Sequence, residues 1–237
     1  MLPAPPSAVL TGGFFALVAV MSAAFVFAVW RADRGEGAHR RTALAALGLF
    51  GWLGLTGGLA ATGRLAFGPM PPPMMLLVVA MFAVVVALAL SPLGRRLATG
   101  LPLAALVGFQ AFRIAVELLL HRAHVDGLLP VEMSYLGWNY DIVSGLTALA
   151  LGLALARGLR APALVLAWNV LGLTLLAVIV VVSILATPVF TVLTTDPPNV
   201  WITHLPFVWL PTVLVALALL GHLLVFRRLR HEARRAG

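Results

Sequence analysis

The stretch LPLAALVGFQAFRIAVELLLHRAH, residues 101–124, is apolar over the length of a membrane crossing. It nevertheless carries Gln110, Arg113, Glu117, His121 and His124 at intervals of three or four. At about 100° per residue these five side chains share a sector of roughly 80°, a single stripe on one helix. An arginine and a glutamate inside such a segment are costly unless they face protein, water or each other. With a rise of about 1.5 Å per residue, Arg113 falls about 12 Å and Glu117 about 6 Å below the outer end of the run. Their four-residue spacing also lets them pair within the helix.

Working outward, six further apolar runs have comparable length. Helices are expected over about 8–30, 43–63, 74–93, 101–121, 139–157, 162–186 and 204–226. Hydrophobic residues make up 62% of the 237 positions and charged residues only 10%, where a soluble domain carries about 25% charged. The mean hydropathy is +1.05. Runs of about 20 apolar residues cross a ~30 Å hydrocarbon core, and unpaired backbone groups are so costly there that such runs read as helices. The expected fold is an all-α membrane protein, a seven-transmembrane-helix bundle forming a single domain over residues 1–237.

The net charge of +8 does not indicate nucleic acid, because the arginines are distributed by side and lysine is absent. Arg31, Arg34, Arg40 and Arg41 follow the first run, and Arg95 and Arg96 the third. Arg157 and Arg160 follow the fifth, and Arg227, Arg228, Arg230, Arg234 and Arg235 the seventh. Only Arg64 and Arg122 fall on the opposite side. Basic loops stay in the cytoplasm, so the N-terminus is expected outside and the C-terminus inside. Compactness and arginine-only basicity point to a bacterial inner membrane. The first run has no charge in Met1–Leu10 and ends in Trp30-Arg31, unlike a cleavable signal peptide. With no cysteine, disulfides, thiolate metal sites and thiol catalysis are excluded. The chain also lacks a Schiff-base lysine for retinal, and H-E-x-x-H, phosphate-loop and serine-nucleophile motifs.

Other polar residues gather near the stripe. The fifth run opens with Asn139-Tyr140-Asp141, followed by Ser144, at a similar outer depth. Asn169 follows Trp168 in the sixth run, nearer the inner side. Asn199, Trp201, His204 and Trp209 belong to the last outer loop and the seventh run. Gln110, Arg113, Glu117, Asn139, Asp141, Asn169, Asn199 and Trp209 are the candidate ligand-binding set. They are expected to line an outward-facing polar cavity, with Arg113 holding an anionic or carbonyl group and Glu117 and Asp141 tuning it or relaying protons. The bland reading is a buried network that only locks the bundle, since polar residues also act as glue in membranes.

His121, His124 and His204 are weaker candidates for a metal or haem site; interfacial histidines facing water are the plainer account. Met70, Met74 and Met75 can offer thioethers to Cu(I), but serve equally as hydrophobes opening the third helix. His222 is expected to cap or line the inner end. Asp33, Glu36 and the C-terminal arginines are expected on a solvated inner face near lipid headgroups. Trp138 and Trp201 are expected at the outer interface, and Trp30 at the inner one.

In these stretches the chain resembles a family of uncharacterised bacterial multi-pass membrane proteins. The matching residues are Phe112-Arg113 with Val116-Glu117-Leu118, Asn139-Tyr140-Asp141-Ile142, Gly145-Leu146-Thr147, Trp168-Asn169, Gly172-Leu173, Pro198-Asn199-Val200, Pro206 to Pro211 and His222-Leu223. The likeness spans roughly residues 105–225. It implies that Arg113, Glu117, Asn139 and Asp141 form one constellation, and that the His121 position is not characteristically histidine. It implies no activity and names no cofactor.

The expected function is a small-molecule carrier or ligand-sensing bundle, leaning away from an enzyme. An accessory subunit of a larger membrane complex is the alternative, and a histidine-ligated metal or haem protein a third. The expected partners are the lipid bilayer, a small-molecule ligand, and a membrane protein or second copy of the chain.

Overall fold

Prolines and small hydroxyl side chains set the helix boundaries. The computed structural model describes residues 2–33, 35, 37–190, 192–193 and 195–236; Arg34 and Glu36, expected on the basic face, lie outside them. Helix α1 (Ala8–Ala32) starts at Ser7, whose hydroxyl accepts the Leu10 N–H at 3.3 Å. Helix α2 spans Ala38–Ala61, and α3 (Pro73–Leu90) has proline in its first turn, where a missing N–H costs nothing.

The third run was expected to continue to residue 93, but α3 stops at Leu90. Pro92 cannot extend the hydrogen-bond ladder, and the Ser91 hydroxyl serves both sides of the break. It donates to the Leu88 carbonyl at 2.7 Å and accepts from the Gly94 N–H at 3.1 Å. A short helix, α4 (Pro92–Gly100), follows.

The stripe-bearing segment is one span, Leu103–Val125. It consists of α5 (Leu103–Gly108) and α6 (Phe112–Val125), joined by a 3-10 turn at Phe109–Ala111. Helix α7 (Asp141–Ala156) begins where Asn139 Oδ1 accepts the Asp141 N–H at 3.1 Å. Helix α8 spans Pro162–Leu185. The last helix, α9 (Val215–Ala236), is entered through a π-turn at Leu210–Leu214 that contains Pro211. The seventh run was expected from residue 204, but Trp201–Thr203 forms a separate 3-10 turn and regular helix starts later.

Among the described residues six helices are long and apolar enough to cross a membrane, and the 16-residue α7 is a shorter apolar helix. Among the described residues there is no strand. This all-helical make-up is that of a multi-pass membrane protein. The final span is its centre: 61% of its apolar stretch is buried, against 17–39% in the other five.

Two apolar cores lie toward opposite ends of the bundle. Leu10, Phe14, Met74, Leu120, Ile179 and Trp201 belong to one. Val29, Val85, Leu97, Leu106, Val165 and Leu224 belong to the other, at the arginine-rich end. Trp201 is fully buried against Phe14 and Phe207 rather than exposed at an interface, whereas Trp30 and Trp138 are each 49% exposed.

At the first end Ser7 is also a tether. Its backbone N–H donates to Asp126 Oδ2 at 2.9 Å, and Arg122 pairs with Asp126 Oδ1 at 2.8 Å. Burial would raise the Asp126 carboxyl, but the Ser7 hydroxyl and N–H and then Arg122 prevail and hold it below the usual carboxylate range. At the other end Asp33, expected in solvent, is buried and paired with Arg41 and Arg96. Arg41 foremost holds its carboxyl below the usual range.

Two predictions follow the packing. A Cβ on Gly152 would lie 2.8 Å from Gly108 Cα, so Gly152→Leu should lower stability in detergent by about 1–3 kcal/mol through overpacking. Gly48→Ala, with nothing within 4 Å, should cause no loss in the same thermal unfolding assay. For Asp126, a lowered folded-state pKa stabilises the fold above the unfolded carboxyl value, and the contribution disappears as pH falls through the folded one. The stability gap between the native protein and Asp126→Asn should thus be full at neutral pH and close in strongly acidic buffer.

Candidate functional site

Four helices meet at Arg113, which is 1% exposed. Its Nε donates to Asp141 Oδ2 at 2.6 Å and its Nη2 to Asp141 Oδ1, a bidentate ion pair. Nη1 reaches Ser144 Oγ at 2.9 Å and His222 Nε2 at 2.9 Å, and both Nη atoms lie 3.3 Å from the Gly172 carbonyl oxygen. Arginine can only donate, so His222 Nε2 accepts and the ring proton resides on Nδ1. Nδ1–H then donates to Asn169 Oδ1 at 2.8 Å, and Asn169 Nδ2 donates to the His222 carbonyl at 3.1 Å. Every orientation in this chain is fixed by the one before it.

Glycine at 172 is required for this approach. A Cβ there would stand 2.6 Å from both His222 Cε1 and Ser144 Oγ, displacing two of the arginine's partners.

The helical pairing of Arg113 with Glu117 does not form. Asp141 offers two oxygens to the guanidinium fork, a stronger arrangement than a single contact one turn away. Glu117, also 1% exposed, accepts instead from Asn139 Nδ2 at 2.7 Å, and Asn139 Nδ2 also reaches the Met133 carbonyl at 3.1 Å. The result is a continuous line, Glu117–Asn139–Asp141–Arg113–His222–Asn169, in which every member is buried.

His222 and Ser144 are central to this line. His222 was expected at the inner end, but α9 turns it inward against Arg113. A histidine among Leu219, Leu220 and Leu223 of an apolar span was the available signal.

Three of the sequence candidates sit apart. Gln110 Nε2 donates to the Ala218 carbonyl at 2.8 Å, packing against Gly221. Asn199 Nδ2 donates to the Ser183 carbonyl at 2.8 Å and closes the loop after α8. Trp209 Nε1 donates to the Leu53 carbonyl at 3.2 Å, and its ring lies over Gly57 and Phe15.

The histidines proposed for metal are used singly. His121 stacks on Tyr135 with ring centroids 4.7 Å apart, His124 Nδ1 lies 3.0 Å from the Leu129 carbonyl, and His204 Nδ1 lies 3.0 Å from Thr203 Oγ1. Among the described residues no group of three histidine or carboxylate side chains converges on one point. Of the methionines, Met74 is buried and Met70 is 77% exposed.

Beside the polar line is a cavity of about 70 Å³ between α3, α6, α8 and the π-turn. Glu117 and Asp141 form its acidic wall; Met74, Met81, Leu176 and Pro211 contribute to its apolar remainder. The guanidinium is saturated by protein acceptors, while the Glu117 carboxyl has, among the described residues, a single donor, Asn139. A guest in this cavity would meet a carboxyl able to accept an N–H or O–H, in a lining that is mostly hydrocarbon and thioether with the hydroxyls of Ser183 and Thr187.

This arrangement is that of a membrane-embedded helical bundle with a buried ionic centre. The chain belongs to the family described as a domain of unknown function (DUF8737), which matches residues 70–230. The match takes in the whole polar line and leaves out α1 and α2. No curated protein and no solved structure matches the chain.

The ion pair gives a direct test. Removing one member of a buried pair strands the other charge, so Arg113→Met and Asp141→Leu should each cost about 3–5 kcal/mol. The double variant should cost clearly less than their sum when unfolding is followed in detergent. Additive losses would show that the two side chains are not coupled.

Proposed function

We propose that the chain is a small-molecule carrier or ligand-sensing bundle whose guest enters the cavity and hydrogen-bonds to Glu117. The observation that carries this reading is the contrast between the two ionisable groups Arg113 and Glu117 on the stripe. Arg113 has its hydrogen-bonding capacity filled by Asp141, Ser144, Gly172 and His222. Glu117 has one donor among the described residues and borders open space. Buried ionisable groups in membrane spans characteristically mark function, and the group left with free acceptor capacity is the one a guest can use. In this reading Asn139 and Asp141 orient the carboxyl, Arg113 balances Asp141, and Gln110, Asn169, Asn199 and Trp209 hold the surrounding helices.

The bundle in this proposal has seven spans, the N-terminus outside and the C-terminus in the cytoplasm of a bacterial inner membrane. Support comes from the alternation of the two apolar cores along the chain. Helices α1, α3 and α9 pass from the first core to the second, and the α5–α6 and α8 spans pass from the second to the first. The arginine-rich turns gather beside the second core, the side that positive charge selects as cytoplasmic.

The saturation of Arg113 favours one other reading, in which the polar line is a lock and the bundle is an accessory subunit of a membrane complex. Native mass spectrometry of gently extracted protein, with an absorption spectrum of the same sample, separates the two. The carrier or sensor reading expects a discrete non-lipid mass that Glu117→Gln loses while thermal unfolding is unchanged. A mass retained in full by Glu117→Gln would overturn the assignment of Glu117. A copurifying second protein without any small guest would establish the accessory reading instead.

A further inference from the structure

The arginines at the basic end divide into those with structural partners and those without. Arg227 Nη1 donates to the Ala89 carbonyl and, at 2.9 Å, to that of Ser91, covering the end of α3. Arg228 does the same for α4, reaching the Thr99 carbonyl at 3.0 Å, and pairs with Glu232 at 2.5 Å. Arg41 and Arg96 hold Asp33. These groups satisfy carbonyls at the ends of α3 and α4 and the buried carboxylate of Asp33.

Arg95, Arg230 and Arg234 have no such role. All three are exposed, and their guanidinium groups have no hydrogen-bond or ion-pair partner among the described residues. They come from two different helices, α4 and α9, yet converge on one groove of about 760 Å³. On α9, positions 223, 227, 230 and 234 recur every three or four residues and so share a face. Much of the remaining lining is hydrocarbon, from Val86, Leu90, Leu166, Leu223 and Phe226, with Thr99, Arg227 and His231 beside it. Leu90 is 73% exposed. Among the described residues no carboxylate lines the groove, and Glu232 is turned to Arg228.

We propose that this groove is a binding site for one anionic phospholipid. Its phosphodiester would be held among Arg95, Arg230 and Arg234, and an acyl chain would lie over Leu90, Val86 and Phe226. Three neighbouring cations without a counter-charge repel one another, and a phosphate relieves that while matching the guanidinium fork. The adjoining apolar wall selects the source of the phosphate. A soluble anion gains nothing from it, whereas a lipid covers it with its own chain. Basic pockets between spans at the cytoplasmic face have this recognition chemistry. The site is distinct from the Glu117 cavity and does not depend on any reading of it.

The test is native mass spectrometry of delipidated full-length protein in neutral detergent, titrated with phosphatidylglycerol and with phosphatidylcholine of identical chains. Phosphatidylglycerol should bind more tightly by on the order of tenfold or more, given the contribution of each nearby arginine. The variant R95Q/R230Q/R234Q should abolish the preference. Equal charge removal at the exposed Arg40, Arg157 and Arg160 should preserve it, and excess inorganic phosphate should not displace the bound lipid. Equal affinity for the two lipids would overturn the proposal, as would a preference that survives R95Q/R230Q/R234Q or is lost equally in the control variant. Displacement by inorganic phosphate would reassign the groove to a free anion.

Discussion

A guanidinium removed from water must have its charge balanced and its N–H groups accepted, or the fold that buries it is untenable. Arg113 meets this condition only when α7 supplies Asp141 and Ser144, α8 supplies the Gly172 carbonyl and α9 supplies His222, all at once. No two of these helices can slide without breaking a bond to the same side chain. The relative depth of four helices is therefore set by one residue, and Gly172 is the small position that lets the partners approach.

The rest of the bundle is arranged around that requirement. Along the α5–α6 span, Leu106 and Val107 of one core precede Gln110 and Arg113, and Val116 and Leu120 of the other follow. On α8 the same order recurs, with Trp168 before Asn169 and Leu176 after it. The polar line is a layer between two apolar cores. Within a membrane, apolar side chains pack about as well against lipid as against one another, so they specify register weakly. Directional hydrogen bonds in the layer provide what the cores cannot.

The layer is not uniformly closed. Asp141 is committed to the arginine, while Glu117 keeps acceptor capacity toward a cavity whose other walls are mostly apolar. The same division of labour appears at the arginine-rich end, where Arg227 and Arg228 finish helices and the guanidinium groups of Arg95, Arg230 and Arg234 have no partner among the described residues. In both places the groups that hold the structure are satisfied by the chain, and the groups left open are the ones on which the two proposals rest.

The amino-acid sequence determined the membrane class, the positions of the apolar helices, the arginine asymmetry and the inward stripe of Gln110, Arg113 and Glu117. These depend on local transfer energies and on helical periodicity, which a single segment carries within itself. Only the tertiary structure decided that Arg113 takes Asp141 instead of Glu117, that His222 turns inward, and that Trp201 and Asp33 are buried. The partners of Arg113 lie 28 and 109 residues away in Asp141 and His222. Periodicity shows which face of a helix is polar but not which other face it meets. That choice follows from the three-dimensional demand that a buried charge find a two-pronged counter-ion and an acceptor for its remaining protons.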